Sequence, residues 1–253
     1  AIRPAAYART LLPGPAARIV ERAVGWLPAD SARTHMPLEF KVRRFLRGYK
    51  LRGAAMMTAW HGPFDELGLA RLMPDVDWRD PMSQDEEAAS AFGTDVDAAL
   101  DWYQRVYLPD DILIKGDRAS MLNSLELRSP FLDIDLAGFV NALPAHYKLR
   151  DGVRKYLLRQ LLRRWGHQGL SLPPHVLGRP KKGFGIPVAT WLRGPLHQAL
   201  VETVLHTWHP SLEMISVKER RRLVAAHLSG DANYAKELWA LLVLGWWAQE
   251  WIP

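Results

Sequence analysis

The chain of 253 residues has no cysteine, which excludes disulfides and thiolate metal centres and fits a reducing compartment, the cytoplasm by default. Alternating β-branched stretches are scarce, and the near-continuous Val/Ile runs that a buried parallel sheet needs are missing. The longest apolar run, residues 238–248, falls well short of the roughly 20 residues that span a bilayer, so no transmembrane helix is expected. Near the N-terminus, Pro4, Pro13 and Pro15 interrupt what would have to be the unbroken apolar core of a signal peptide. Internal repeats and low-complexity tracts are also missing.

What is present is helical. A hydrophobic content of 48% supports a sizeable core, and apolar residues recur at helical rather than strand spacing. Ile19, Ala23 and Trp26 share a face behind Pro15. Leu38, Val42, Phe45 and Leu46 make a second stripe. Thr94 with Asp97 resembles a capping box, followed by Val96, Leu100, Tyr103 and Tyr107 until Pro109 stops the pattern. Ser216 with Glu219 fits the box better, Gly230 ends that helix, and the last helix runs over about 233–251. Polar, proline-bearing residues 72–90 read as a connection that divides a helical subregion, 1–90, from a second region, 91–253. The fold class expected is mostly α.

A net charge of +6 suits anionic partners without choosing among nucleotides, pyrophosphate, nucleic acid and acidic lipid. Residues 41–52, KVRRFLRGYKLR, hold six basic residues and no acid, which reads as a solvated helix face. Nucleic-acid binding would want exposed aromatics beside them and is the least supported option. His206 and His209 have helical ligand spacing but no third ligand nearby, so no metal site is expected. Trp239, Trp246, Trp247 and Trp251 read as core or as a partner face.

Two segments place charge among turn-formers in a way a plain helical core does not require. In YLPDDILIKGDRASMLNSLELRSPFLD, residues 107–133, Asp110 or Asp111 can cap a helix to about Leu122 that sets Lys115 and Arg118 on one face. Two adjacent cations repel unless an anion such as pyrophosphate lies between them. Asp117 points away from Lys115 and can orient Arg118 or tie down the neighbouring segment. The extended stretch SLELRSPFLD puts Glu126 and Arg128 on one side, ready to pair, and Pro130, Phe131 and Asp133 turn the chain into a helix that ends before Pro144. In RPKKGFGIP, residues 179–187, Gly183 and Gly185 flank Phe184, letting backbone approach a ligand while Lys181 and Lys182 project. Surface charges, a structural salt bridge and a basic loop remain the plain readings of the same residues.

Both segments closely resemble signature segments of the asparagine synthetase family, ATP-dependent amide-forming enzymes that activate a carboxylate as an acyl-adenylate. KLRDGVRKYLLRQLL, residues 148–162, also resembles the family, with a short turn leading into a helix that buries Tyr156, Leu157 and Leu161; WHGPF and ELWALLVLGWW resemble it more weakly. The family's nucleotide-binding loop, S-G-G-x-D-S, and its G-D-G-G-D-E segment have no counterpart here. The resemblance therefore implies the helical C-terminal portion of an α/β adenine-nucleotide-hydrolase-like synthetase domain. It implies ATP and Mg²⁺ as cofactors of the complete enzyme, aspartate or a similar acid as substrate, and glutamine-derived ammonia as nucleophile. By that resemblance Lys181 contacts the phosphates and Glu126 assists the nitrogen nucleophile. Lys115, Arg118, Lys182 and Gly183 lie near ATP or pyrophosphate, with Asp117, Arg128 and Arg179 in support. The nucleotide-binding loop would come from a missing N-terminal half or a separate chain, and this chain alone is expected to be inactive. A non-catalytic helical interaction module is the alternative, and homo-oligomerisation stays open.

Overall fold

The computed structural model describes residues 38–77, 94–169, 173 and 186–253. The chain divides into two compact units, Ala1–Glu86 with Phe184–Pro253, and Glu87–Gly183.

In the first unit, helices α1 (Leu38–Gly48) and α2 (Gly53–His61) pack as a pair, followed by α3 (Glu66–Leu72). Phe45 stacks on Tyr49 and Trp60 with ring centroids 6.0 and 6.3 Å apart, and Leu46 is buried, so this end of the stripe behaves as core. The basic run is only partly the solvated face expected of it. Arg44 donates to the Trp60 carbonyl, and Arg47 reaches Asp65 at 3.1 Å and Glu237 at 3.3 Å, tying α1 to distant elements. Later come α9 (Val188–Arg193), α10 (His197–Val201), a π-helical turn Glu202–His206, α11 (Val217–Ser229) and α12 (Ala235–Trp251). Their apolar faces close a core on Leu192, Leu200, Val204, Leu223, Leu238 and Leu242.

Local chemistry explains the helix ends. Ser216 Oγ accepts from the Glu219 N–H at 3.3 Å, and Gly230 leaves α11 at φ 86°. The Glu219 side chain is drawn away from the cap by Arg222 at 2.7 Å and Arg71 at 3.3 Å. The Arg222 guanidinium, and then that of Arg71, hold the Glu219 carboxyl below its usual range against the effect of burial. Trp239 packs against the core, whereas Trp246, Trp247 and Trp251 are exposed. The Ile19, Ala23 and Trp26 stripe lies outside the described residues.

The second unit begins with α4 (Asp95–Trp102), capped by Thr94 Oγ1, which accepts from the Asp97 N–H at 3.1 Å. Proline 109 does not end the helix as expected. The chain widens into a π-helix, Tyr103–Leu113, that carries Pro109 inside it and continues into α5 (Ile114–Met121). A proline ring clashes with a carbonyl one α-turn back, and a π register, rare over such a length, relaxes that clash by adding a residue to the turn. After a 3-10 turn at Pro130–Leu132 come α6 (Ile134–Ala142), α7 (Ala145–Lys148), and a hairpin of β1 (Leu149–Arg150) with β2 (Val153–Arg154). The hairpin turns through Asp151 at φ 49° and Gly152 at φ 80°, both left-handed as a two-residue turn requires. Helix α8 (Tyr156–His167) follows. Its Leu157 and Leu161 are 39% and 38% exposed, so the expected burial fails: among the described residues of this unit only Ala98, Ala99 and Trp102 are buried. The chain is mostly helical. No described helix is long and apolar enough to cross a membrane.

Candidate functional site

The site is built on one chain reversal in the second unit. At the end of α5 the Leu122 N–H bonds the Arg118 carbonyl at 3.0 Å, Asn123 Nδ2 donates to the Ala119 carbonyl at 2.9 Å, and Ser124 takes a left-handed φ of 56°. The Leu125 N–H then bonds back to the Ser120 carbonyl at 3.0 Å, which swings residues 125–129 beside α5. Gly116 lies at that approach: a Cβ there would sit 2.9 Å from Leu127 Cδ2, the free end of an exposed side chain. Lys115 and Asp117 adjoin Gly116 in sequence, and Glu126 and Arg128 adjoin Leu127.

The expected cap does not form. Asp111 is mid-helix, and its Oδ1 lies 3.0 Å from Lys115 Nζ. Tyr107 also hydrogen-bonds the same carboxylate, so Tyr107, Asp111 and Lys115 make a ladder up the helix. The Lys115 hydrogen bond holds the Asp111 carboxyl below its ordinary range, while partial burial, with the Asp111 bond, raises the Tyr107 phenol. The anion beside Lys115 is thus a residue of the chain itself. Spacing of four residues between Tyr107, Asp111 and Lys115 is the signal that sequence reasoning passed over.

Arg118 is exposed, and its guanidinium has no hydrogen-bond or ion-pair partner among the described residues. Arg128 and Glu126 do pair, both largely exposed, as the extended alternation predicts. Asp117 is exposed and its carbonyl accepts from Ser120 Oγ at 3.0 Å; no bond to Arg118 forms. The chain turns into α6 at Asp133 and α6 ends before Pro144, as expected; Asp133 also caps α6 by accepting the Leu136 N–H at 3.0 Å. Gln104 and Asn141 exchange amide hydrogen bonds of 2.9 Å, joining the π-helix to α6. Lys148 Nζ donates to the Asn141 carbonyl at 3.2 Å and lies 3.9 Å from Asp97. These ties join α4 and the π-helix to α6 and α7. Arg179, Lys181, Lys182 and Gly183 lie outside the described residues. Among the described residues no group of His, Cys, Asp and Glu is arranged to hold a metal ion.

Chemically, the reversal offers an exposed arginine, a lysine on a solvent-facing carboxylate, and a glutamate on an arginine. Exposed pairs of this kind contribute only about 0–1 kcal/mol, so a more highly charged oxyanion can take over either cation.

Comparison with known proteins gives this sequence a family. The asparagine synthase family model matches residues 14–252. A putative glutamine-hydrolysing asparagine synthetase of Mycobacterium tuberculosis is 35% identical over 142 residues, 56% of this chain and 21% of that protein. Asparagine synthetase 1 of Bacillus subtilis, also named as glutamine-hydrolysing, is 30% identical over 141 residues, covering 56% and 21%. The asparagine synthetase of Gallus gallus is 35% identical over 88 residues, 34% of this chain and 15% of that protein. No solved structure matches. The matched stretch is about a fifth of the length of the bacterial relatives. Since the family model covers nearly the whole chain, the chain belongs to the asparagine synthase family.

Proposed function

We propose that this chain is the helical C-terminal portion of a glutamine-dependent amidotransferase that adenylates a carboxylic acid, aspartate or a similar one, and forms an amide with ammonia. The reading is supported by the family match over residues 14–252 and by the close approach of Leu127 to Gly116, the sequence neighbours of Glu126 and Arg128 and of Lys115 and Asp117. When a carboxylate attacks the α-phosphate, charge builds on the phosphorus oxygens and on the departing pyrophosphate, and fixed cations stabilise it. Arg118, whose side chain has no partner among the described residues, and the weakly held Lys115 fit that end of the nucleotide, and Lys181 with Lys182 and Gly183 would add to it, with Arg179 in support. ATP would supply the activating group and Mg²⁺ charge neutralisation. Glu126, once separated from Arg128, can take a proton from the attacking nitrogen.

In this reading the chain needs the nucleotide-binding loop from elsewhere. The purified chain should show no ATP–pyrophosphate exchange, and robust exchange would overturn its incompleteness. In a complete enzyme, Lys181→Ala should lower adenylation by roughly 100- to 1,000-fold, the loss typical of one transition-state donor; unchanged exchange removes Lys181 from the reaction. The existing Lys115–Asp111 and Glu126–Arg128 pairs favour a second reading, a non-catalytic interaction module. It predicts that Lys115→Ala and Glu126→Gln leave exchange by a complete enzyme unchanged.

A further inference from the structure

Three helices of the first unit bring like charges together around one amine. Lys236 is half-buried and stands in the first turn of α12, the helix end that disfavours cations. The charges of Arg44 and Arg47, both on α1, act on it, and His61 at the end of α2 feels both Arg44 and Lys236. The acids bonded there are already engaged: Arg47 reaches Asp65 at 3.1 Å and Glu237 at 3.3 Å. Glu237 directly follows Lys236, but side chains one position apart on a helix do not face each other, and burial raises the Glu237 carboxyl. The Lys236 amine has no hydrogen-bond or ion-pair partner among the described residues. Burial first, then the Arg44 charge, bring its ammonium from 10.5 down to about 8, with Glu237 opposing and Arg47 adding. At about pH 7.4 roughly a fifth of such amines are neutral and nucleophilic, against roughly one in a thousand for an ordinary lysine.

We propose that Lys236 is a carbamylation site, whose half-buried amine in the field of Arg44 and Arg47 takes up carbon dioxide. The neutral nitrogen attacks the carbon of CO₂, a C–N bond forms as one C=O electron pair moves onto oxygen, and the nitrogen gives a proton to water, leaving an N-carboxylate. No further reactant is needed. Carbon dioxide is small and uncharged, so neither half-burial nor the surrounding cations keep it out. The same surroundings that make an ammonium costly favour the product, because a carboxylate attracts guanidiniums that the ammonium repels. Carbamylation thus replaces a cation by an anion where Arg47 already ties α1 to α12 through Glu237. The site is independent of the adenylation reading, since none of these residues belongs to the charged segments at 107–133 and 179–187.

The test holds the full 253-residue chain in isotopically labelled bicarbonate, at about pH 7.4 and about pH 8.5. The carbamate is trapped as its ethyl ester with a triethyloxonium salt and located by peptide mass spectrometry. Lys236 should carry the label on the order of 10- to 100-fold more often than the exposed Lys155 and Lys218, and more at the higher pH. Arg44→Gln should lower labelling of Lys236 about tenfold, because it restores the ammonium and removes a partner of the product. Lys236→Arg keeps the positive charge and should leave its peptide unlabelled. Three results overturn the site: no label on Lys236, label no commoner there than on Lys155 and Lys218, or equal labelling in a folded Arg44→Gln chain. Arg44 also donates to the Trp60 carbonyl, so circular dichroism checks that variant; if it does not fold, the comparison of the three lysines in the wild-type chain decides alone.

Discussion

His227 carries the clearest pH dependence. It is fully buried, its Nδ1 accepts the Tyr234 N–H at 3.2 Å, and Arg193 Nε donates to its carbonyl at 2.8 Å. Burial, reinforced by the Arg193 charge, pushes its imidazole from 6.5 down to about 4. The unfolded chain therefore binds a proton near pH 6.5 that the folded chain refuses until about pH 4. The stability contributed by a neutral His227 is complete above pH 6.5 and is lost as pH falls toward 4. The loss should be on the order of 3 kcal/mol, read as a falling urea midpoint across that window. His227→Gln, which cannot protonate, should flatten that slope; an unchanged slope would assign it to other groups. Glu219, held below its ordinary range, adds a loss of the same sign at lower pH, while Glu237, raised by burial, acts in the opposite direction.

Between elements, one close approach decides how α12 seats. A Cβ on Gly245 would meet Thr203 Cγ2 at 2.6 Å and Trp208 Cζ3 at 3.4 Å. Thr203 is buried and β-branched, with little room to turn away. Gly245→Ala should therefore destabilise by about 1–3 kcal/mol despite its better helix propensity, seen as a lower melting temperature. Gly116→Ala should behave differently, because the atom it meets is the free end of the exposed Leu127. The helix gains about 1 kcal/mol from losing glycine while Leu127 moves aside, so the melting temperature should hold or rise. These approaches are not readable from sequence, where each glycine is one more weak helix former. The caps at Thr94 and Ser216, the turn at Asp133, the stop at Gly230 and the span of α12 were readable, since each depends on neighbours within a turn. Pro109 was misread: its missing N–H argues for a stop only if the helix must stay α, and this one widens instead. The Glu126–Arg128 pair followed from period-two alternation, but the capture of Lys115 by Asp111 needed the helix to run through Pro109.

At the scale of the whole chain, the two units differ in how much apolar surface they close. The unit holding α9 to α12 buries Leu192, Leu200, Val204, Leu238 and Leu242 with no exposed surface, whereas the unit holding α4 to α8 leaves most of its large apolar side chains open. Sequence periodicity could not foresee this, because Leu157 and Leu161 make the same stripe whether or not anything covers them. Local opening becomes easier as buried apolar contact falls. Native-state hydrogen exchange on the isolated chain should therefore find its slowest amides in residues 192–204 and 220–248. Amides of α5 and α6 should exchange orders of magnitude faster although their hydrogen bonds are formed, since opening them uncovers little that water does not already reach. Equal protection in both groups would mean that the second unit is closed in solution by contacts beyond those of α4 to α8.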